Sequence, residues 1–297
     1  MRLATLRDNG HEALAVILDD RTIPASQLAD GAPTTMAGLL AAGFQGLDSL
    51  RHAAADARPR FASNGRPVDE VEFLPPVTRP GKIIGTGLNY RDHAHEVGAS
   101  APTQPTLFAK FPTSLIGHRA EIRWDPSISR QVDYEAELAV VIGRRARHVS
   151  EADALSYVLG YTCANDVTAR DLQSNDGQWV RSKSLDTFCP LGPAIVTIDE
   201  IPDPQSLPIS CTVNGDVMQS ANTSSMFFGV QRLISYCSET FLLEPGDVII
   251  TGTPAGVGMF REPKRLLMDG DEVVVEIGGV GRLVNSCRTE PPLTAGE

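Results

Sequence analysis

Two glutamates spaced two apart, just ahead of an unbroken apolar run, stand in Asp133-Tyr-Glu135-Ala-Glu137-Leu-Ala-Val-Val-Ile142. If the run is a strand, positions i and i+2 project from the same face and both carboxylates share it. Like charges that close repel and raise one pKa unless a cation sits between them. A solvated strand edge would also tolerate the pair, but the core run that follows argues against a purely solvent-facing one. Downstream, Tyr161-Thr-Cys-Ala-Asn165-Asp166 closes a mildly apolar strand with an acid before a polar turn. Asp166 is placed either as a third oxygen ligand or as a helix cap. Three carboxylates without a neighbouring His or Cys suit Mg²⁺ or Mn²⁺ and disfavour zinc.

A second group is Asn89-Tyr-Arg-Asp-His93-Ala-His95-Glu96. On a helical turn His93 and Glu96 are i and i+3 and share a face. A carboxylate that orients an imidazole makes a general base for water; a helix-surface ion pair is the alternative. Lys183 lies in the constrained loop Arg181–Pro193, and Thr251-Gly-Thr253-Pro-Ala-Gly-Val-Gly258 is a Gly-rich turn able to aim N–H groups and a hydroxyl at an anion. Each of these two segments would also serve as a plain tight turn. Gly85-Thr-Gly87-Leu-Asn-Tyr90 starts like a dinucleotide fingerprint but has Tyr in place of the third glycine. No G-x-S-x-G, H-E-x-x-H or P-loop motif is present.

The elements that must position these groups are mostly strands. Short apolar or β-branched runs bounded by turn residues occur at 82–85, 137–142, 194–198, 209–213, 248–251 and 273–277, with a hairpin turn at Asn214-Gly215. Helical patterning is confined to Tyr90–Val97, Glu151–Val158 and Phe228–Glu239 in this part of the chain. Irregular strand spacing with few helices argues for a β-rich roll or barrel rather than a parallel βαβ sheet. Before it, residues 1–72 carry a strand-like run at Leu14–Leu18 and helix candidates at 35–42 and 47–57, without any chemical constellation. The proline-rich stretch Phe73–Gly81 reads as a linker, which divides the chain into a small N-terminal α/β domain (1–72) and a catalytic domain (73–297).

Composition narrows the function. The chain has 297 residues with 42% hydrophobic content, enough to bury a core without staples. Its net charge of −11 opposes nucleic-acid and anionic-membrane partners. The five cysteines are scattered and unpaired in sequence, which suits a reducing compartment. No apolar run approaches the ~18 residues of a span and the N-terminus has no signal-peptide pattern, so the expectation is a cytoplasmic protein.

Together the segments Gly87–Glu96, Asp133–Leu138, Asn165–Asp171, Lys183–Pro193 and Gly246–Gly258 resemble the fumarylacetoacetate hydrolase family, in particular its small bacterial and mitochondrial domain proteins. The likeness spans about residues 80–288. It implies an α+β, β-rich fold of the family's mixed β-roll or barrel type, a homodimer, and Mg²⁺ or Mn²⁺ (with Ca²⁺ admissible) held by Glu135, Glu137 and Asp166. It further implies that His93 and Glu96 activate water, that Lys183 and Thr253 face the substrate, and that Arg170 and Gln173 hold its carboxylate side. The small-molecule partner would be a 2-oxo acid. The expected reaction is hydrolysis of a C–C bond in an acylpyruvate or other 2,4-dioxo acid, with the pyruvate enolate stabilised by the metal. The same machinery serves oxaloacetate decarboxylation or tautomerisation and isomerisation or hydration of 2-oxo-enoic diacids; a non-catalytic 2-oxo-acid binder is a third class. Intact His93 and Glu96 favour hydrolysis. Specificity is expected from Ser174–Arg181 and Met259–Arg265, where Arg261, Lys264 and Arg265 suit an acidic distal group or simply solvent.

Overall fold

The computed structural model describes residues 1–290, apart from the side chains of 59–64; the last seven residues of the expected catalytic segment lie outside the described residues. Its backbone is a mixed sheet of twelve strands, packed on a second sheet of five. In the large sheet the central order is Arg2–Asp8, Cys189–Thr197, Val158–Asn165, Ala136–Ile142, Val248–Ile250, Ile83–Gly87, Thr106–Lys110. Neighbours along this order are antiparallel except Val248–Ile250 beside Ile83–Gly87, which run parallel. The smaller sheet runs Asp216–Asn222, Pro208–Val213, Glu272–Ile277, Gly281–Thr289, Glu121–Trp124. The fold is therefore α+β and β-rich, as expected, but neither sheet closes into a barrel among the described residues.

Ala136–Ile142 lies buried along its whole length, because both neighbours are strands and both faces are covered. That explains its continuous apolar run. The core between the sheets joins Leu138, Val140 and Tyr161 to Ile209, Val275 and Leu283. Helix Val230–Thr240 adds Val230, Leu233, Ile234 and Cys237, one apolar stripe at helical spacing.

The segment 1–72 extends the same sheet. Arg2–Asp8 pairs with Cys189–Thr197, with Leu3 opposite Ile195, and the strands His11–Leu18, Arg21–Pro24 and Arg66–Pro67 follow outward. A helical stretch Met36–Asn64 covers this end and breaks at Gly43, whose φ of 64° leaves the helical region. The break separates the two expected helices. The stretch expected to be a linker is instead packed: Phe73, Pro75, Pro76 and Val77 are buried, and the Thr5 hydroxyl donates to the Pro76 carbonyl at 2.7 Å. The sheet thus crosses the position drawn as a domain boundary. One helix expectation fails. Glu151–Val158 forms only the 3₁₀ turn Ala154–Tyr157, after which Val158–Asn165 enters the sheet between two partners. The Tyr157 carbonyl accepts from the Gly143 amide at 2.7 Å, a bond outside any helix, as the chain turns into the sheet. Among the described residues no helix is long and apolar enough to cross a membrane.

Candidate active site

Glu135 and Glu137 stand at the entry of the central strand Ala136–Ile142, and Asp166 follows the end of the adjacent strand. The antiparallel register sets Glu137 opposite Ala164 and Ala136 opposite Asn165, and the Asp166 amide donates to the Glu135 carbonyl at 2.9 Å. Two strand ends therefore bring three buried carboxylates together, with an oxygen from each lying within 4.8 Å of the others.

Cations surround them. Lys183 Nζ donates to Asp166 Oδ2 at 2.6 Å and Glu135 Oε2 at 2.8 Å. Lys110 Nζ donates to Asp166 Oδ1 at 2.7 Å and also to the Lys183 carbonyl. Arg170 Nε donates to Asp133 Oδ2 at 2.8 Å. Its Nη2 pairs with Glu135 Oε1 at 2.7 Å. The buried cluster thus holds four carboxylates (Asp133, Glu135, Glu137, Asp166) and three cations (Lys110, Arg170, Lys183), leaving one negative charge over when all are ionised.

That surplus falls on Glu137. Burial, then the Asp166 and Glu135 carboxylates, push its carboxyl well above the usual range; its contact with protein N–H is the Gly252 amide at 2.6 Å. Burial pushes Glu135 the same way, but Lys183 and Arg170 outweigh it and hold the group at about 2. For Lys183, burial favours the neutral amine, yet Asp166 and Glu135 keep the pKa above its ordinary value. Three converging carboxylates, one of them uncompensated, fit a hard divalent ion with oxygen ligands. The donor set contains no imidazole or thiolate, so it does not suit zinc.

Facing the carboxylates is His93, on the short helix Arg91–Glu96. Asn89 fixes the start of that helix: its side-chain amide donates to the carbonyls of Phe228 and Thr251 and its oxygen accepts from the Phe228 amide. His93 Nδ1 lies 2.8 Å from Glu96 Oε2, and Glu96 Oε1 accepts from the Gly256 amide at 2.8 Å. With Nδ1 engaged, Nε2 is the ring nitrogen left for a ligand. The Phe260 ring lies 6.2 Å from the imidazole.

A cavity of about 230 Å³ is lined by His93, Glu135, Glu137, Arg170, Gln173, Lys183 and Thr253, and closed by Phe108, Trp179 and Phe260. Seven of the nine expected site residues thus share one space. Glu96 stands behind His93, and Asp166 is fully buried beneath both lysines. Gln173 accepts from Arg170 Nη1 at 3.0 Å, and Thr253 is anchored by the Gln219 amide at 2.8 Å. Arg265 turns away to a paired contact with Asp271, and Arg261 Nη1 donates to the Met218 carbonyl. The Arg265 guanidinium is thus committed to a carboxylate of the protein itself.

Sequence reasoning missed two buried groups. Lys110 ends a strand at the edge of the sheet, and no local pattern links it to an aspartate 56 residues away. Asp133 opens the quoted glutamate block without any role having been given to it. It accepts from the amides of Gly258 and Met259 as well as from Arg170. Its signal was a carboxylate two residues before the first glutamate, at the end of the separate short strand Val132–Asp133.

Comparison with known proteins settles the kinship. The family model described as fumarylacetoacetate (FAA) hydrolase C-terminal matches residues 82–288. The chain belongs to the fumarylacetoacetate hydrolase family. It is 47% identical over 254 residues to a protein of Rattus norvegicus named mitochondrial oxaloacetate tautomerase Fahd2a, covering 85% of this chain and 79% of that one. Among solved structures, a fumarylacetoacetate hydrolase of the psychrophile Exiguobacterium antarcticum superposes with a TM-score of 0.84 at 34% identity, over 98% of this chain and 100% of the other. Maleylpyruvate hydrolase of Sphingobium sp. SYK-6, described in complex with manganese(II) and pyruvate, gives 0.79 at 32% identity, over 97% and 99%. Relatives at this similarity thus include a tautomerase and hydrolases, one of them with a divalent metal.

Proposed function

We propose that this protein is a divalent-metal-dependent enzyme that interconverts the enol and keto forms of a compact 2-oxo diacid of the oxaloacetate class. The observation that carries the reading is one small cavity lined by an oriented imidazole, the Arg170 guanidinium and the Glu135 and Glu137 carboxylates, with Asp166 buried beside them. Its volume of about 230 Å³ is roughly that of eight waters in the liquid, the scale of a four- or five-carbon acid. The likeness to the Rattus norvegicus tautomerase supports the same choice.

Glu135, Glu137 and Asp166 would hold Mg²⁺ or Mn²⁺, which when bound supplies Lewis-acid polarisation of the 2-oxo group and stabilises enolate charge. The chain's own groups do the rest. Arg170 and Gln173, which both line the cavity, receive a substrate carboxylate. Lys183 places a buried positive charge beside the oxygen that becomes negative, where low dielectric strengthens it. His93 Nε2 takes the proton from C3 and delivers it to the C2 oxygen, and in the opposite direction carries it from that oxygen back to C3, while Glu96 fixes the ring and steadies the imidazolium. Phe108, Trp179 and Phe260 give the cavity apolar surface.

Hydrolysis of an acylpyruvate is the second reading. The His93–Glu96 pair favours it, because the same base would activate a water for attack at C4. One experiment separates the two. The decay of the oxaloacetate enol absorbance is followed with Mg²⁺ or Mn²⁺ and again with EDTA, beside acid and pyruvate release from acetylpyruvate. Metal-dependent enol–keto exchange, lowered about 10²–10⁴-fold in His93→Ala with Mn²⁺ affinity retained, is the expected result. Acid release without exchange would install the hydrolase, and Mn²⁺ and oxalate binding without either turnover would leave a 2-oxo-acid binder.

A further inference from the structure

We propose that the Phe108–Trp179 pair is a wall that sets the length of substrate the site accepts, and that the apolar cavity behind it is an acyl-binding subsite the wall keeps out of use. The proposal rests on reading the site as one for 2-oxo acids. The site cavity of about 230 Å³ has a neighbour of about 540 Å³, and both are lined by Phe108 and Trp179. The two rings meet edge-on, with centroids 5.6 Å apart and planes at 66°. They fit there because the strand Ile83–Gly87 has no side chain under either ring. A Cβ on Gly85 would stand 2.1 Å from Phe108 Cζ, and one on Gly87 would stand 2.5 Å from Trp179 Cζ3.

Behind the wall the lining turns apolar, with Ile84, Leu107, Val180 and Phe241. No carboxylate borders that space, and both of its lysines are committed elsewhere, Lys82 to Asp247 and Lys110 to Asp166, each at 2.7 Å. The chemistry suits an alkyl or aryl group and offers nothing to a second carboxylate. Of the two rings Trp179 is the one that a substitution can remove without opening the core. It is half-buried, follows the exposed Gly177 and Gln178, and packs against Gly87 and Phe108. The turn that carries it is clipped independently by Arg181, whose Nε and Nη2 each donate to Asp176 at 2.7 Å. Shortening residue 179 therefore joins the two cavities while the backbone keeps its place.

The test is a calorimetric binding series of 2-oxo acids on the Mn²⁺-loaded protein, from pyruvate through 2-oxohexanoate to 2-oxooctanoate. Each methylene that enters an apolar cavity is worth roughly a fourfold gain in affinity. In Trp179→Ala the ratio of 2-oxooctanoate to pyruvate affinity is expected to rise at least ~10-fold over the unaltered chain. Trp179→Leu, which keeps more apolar cover over Gly87, gives the same shift in smaller amount. Ala109→Trp, added to Trp179→Ala, refills the larger cavity from its outer side and returns the ratio to its starting value. An unchanged ratio in both single variants, with pyruvate bound by all, overturns the wall. A raised ratio that Ala109→Trp leaves in place overturns the subsite. Failure of every form to bind pyruvate overturns the reading of the site and the proposal with it.

Discussion

At one place along the large sheet, Glu135, Glu137, Asp166, Lys110, Lys183 and Arg170 are all withdrawn from water. At its N-terminal end the covered face is Leu3, Leu14 and Val16 against Leu39, Leu47 and Leu50, and the charged pairs Arg7–Glu72 and Arg51–Asp48 stay outside. The same backbone ladder supports both regions, so the difference lies in the side chains and in what they cost. The apolar end gains from each group it buries. The charged region gives up hydration for every ion and recovers it only when each partner is in place. An assembly like that is retained for what it does to a ligand, and its weakness is that removing one member strands the others.

The comparison breaks most visibly at Lys183. In Lys183→Met, Asp166 and Glu135 lose their shared cation in a buried setting, and the metal-free protein should lose about 3–5 kcal/mol in denaturant unfolding. Saturating Mn²⁺ should restore part of that loss, since the ion replaces the missing charge. Equal losses with and without Mn²⁺ would show that the cluster is not where the metal acts.

Leu50→Ala probes the other end. Leu50 is fully buried in the N-terminal core, so about 2–4 kcal/mol of stability should go, with Mn²⁺ affinity unchanged. Altered metal affinity would mean that the two regions are coupled through the sheet.

A smaller effect sits where they meet. His118 packs edge-on against Phe73, and its Nδ1 accepts from the Val284 amide at 3.1 Å. Burial, with Arg119 and Arg282 nearby, lowers its pKa from 6.5 to about 4. A lowered folded pKa means that the neutral ring is the stabilising form. Its contribution is present above pH 6.5 and is lost as the pH falls toward 4. His118→Asn should flatten that limb of the stability profile by about 1 kcal/mol after solvent screening. An unchanged acid limb would remove His118 from the pH response.

Much of the site was legible because its signals are local. The two glutamates share a strand face by simple alternation, and His93 with Glu96 by one helical turn. The apolar run after Glu137 announced burial. What escaped depends on pairing across the chain. Nothing near Lys110 points to Asp166, and nothing in Arg2–Asp8 says that it will lie beside Cys189–Thr197. The helix expected at Glu151–Val158 meets the same kind of distant partner, since the Tyr157 carbonyl is taken by the Gly143 amide and the strand begins at the next residue. The packing of Pro75, Pro76 and Val77 was hidden too, because prolines mark an interruption of regular structure whether the segment is exposed or buried.

Asp133 links matters that could have been independent. A single carboxylate receives the Gly258 and Met259 amides on one side and the Arg170 guanidinium on the other. The 256–265 loop is therefore not a free module: any new path for Gly258 and Met259 also shifts the carboxylate that orients the Arg170 guanidinium.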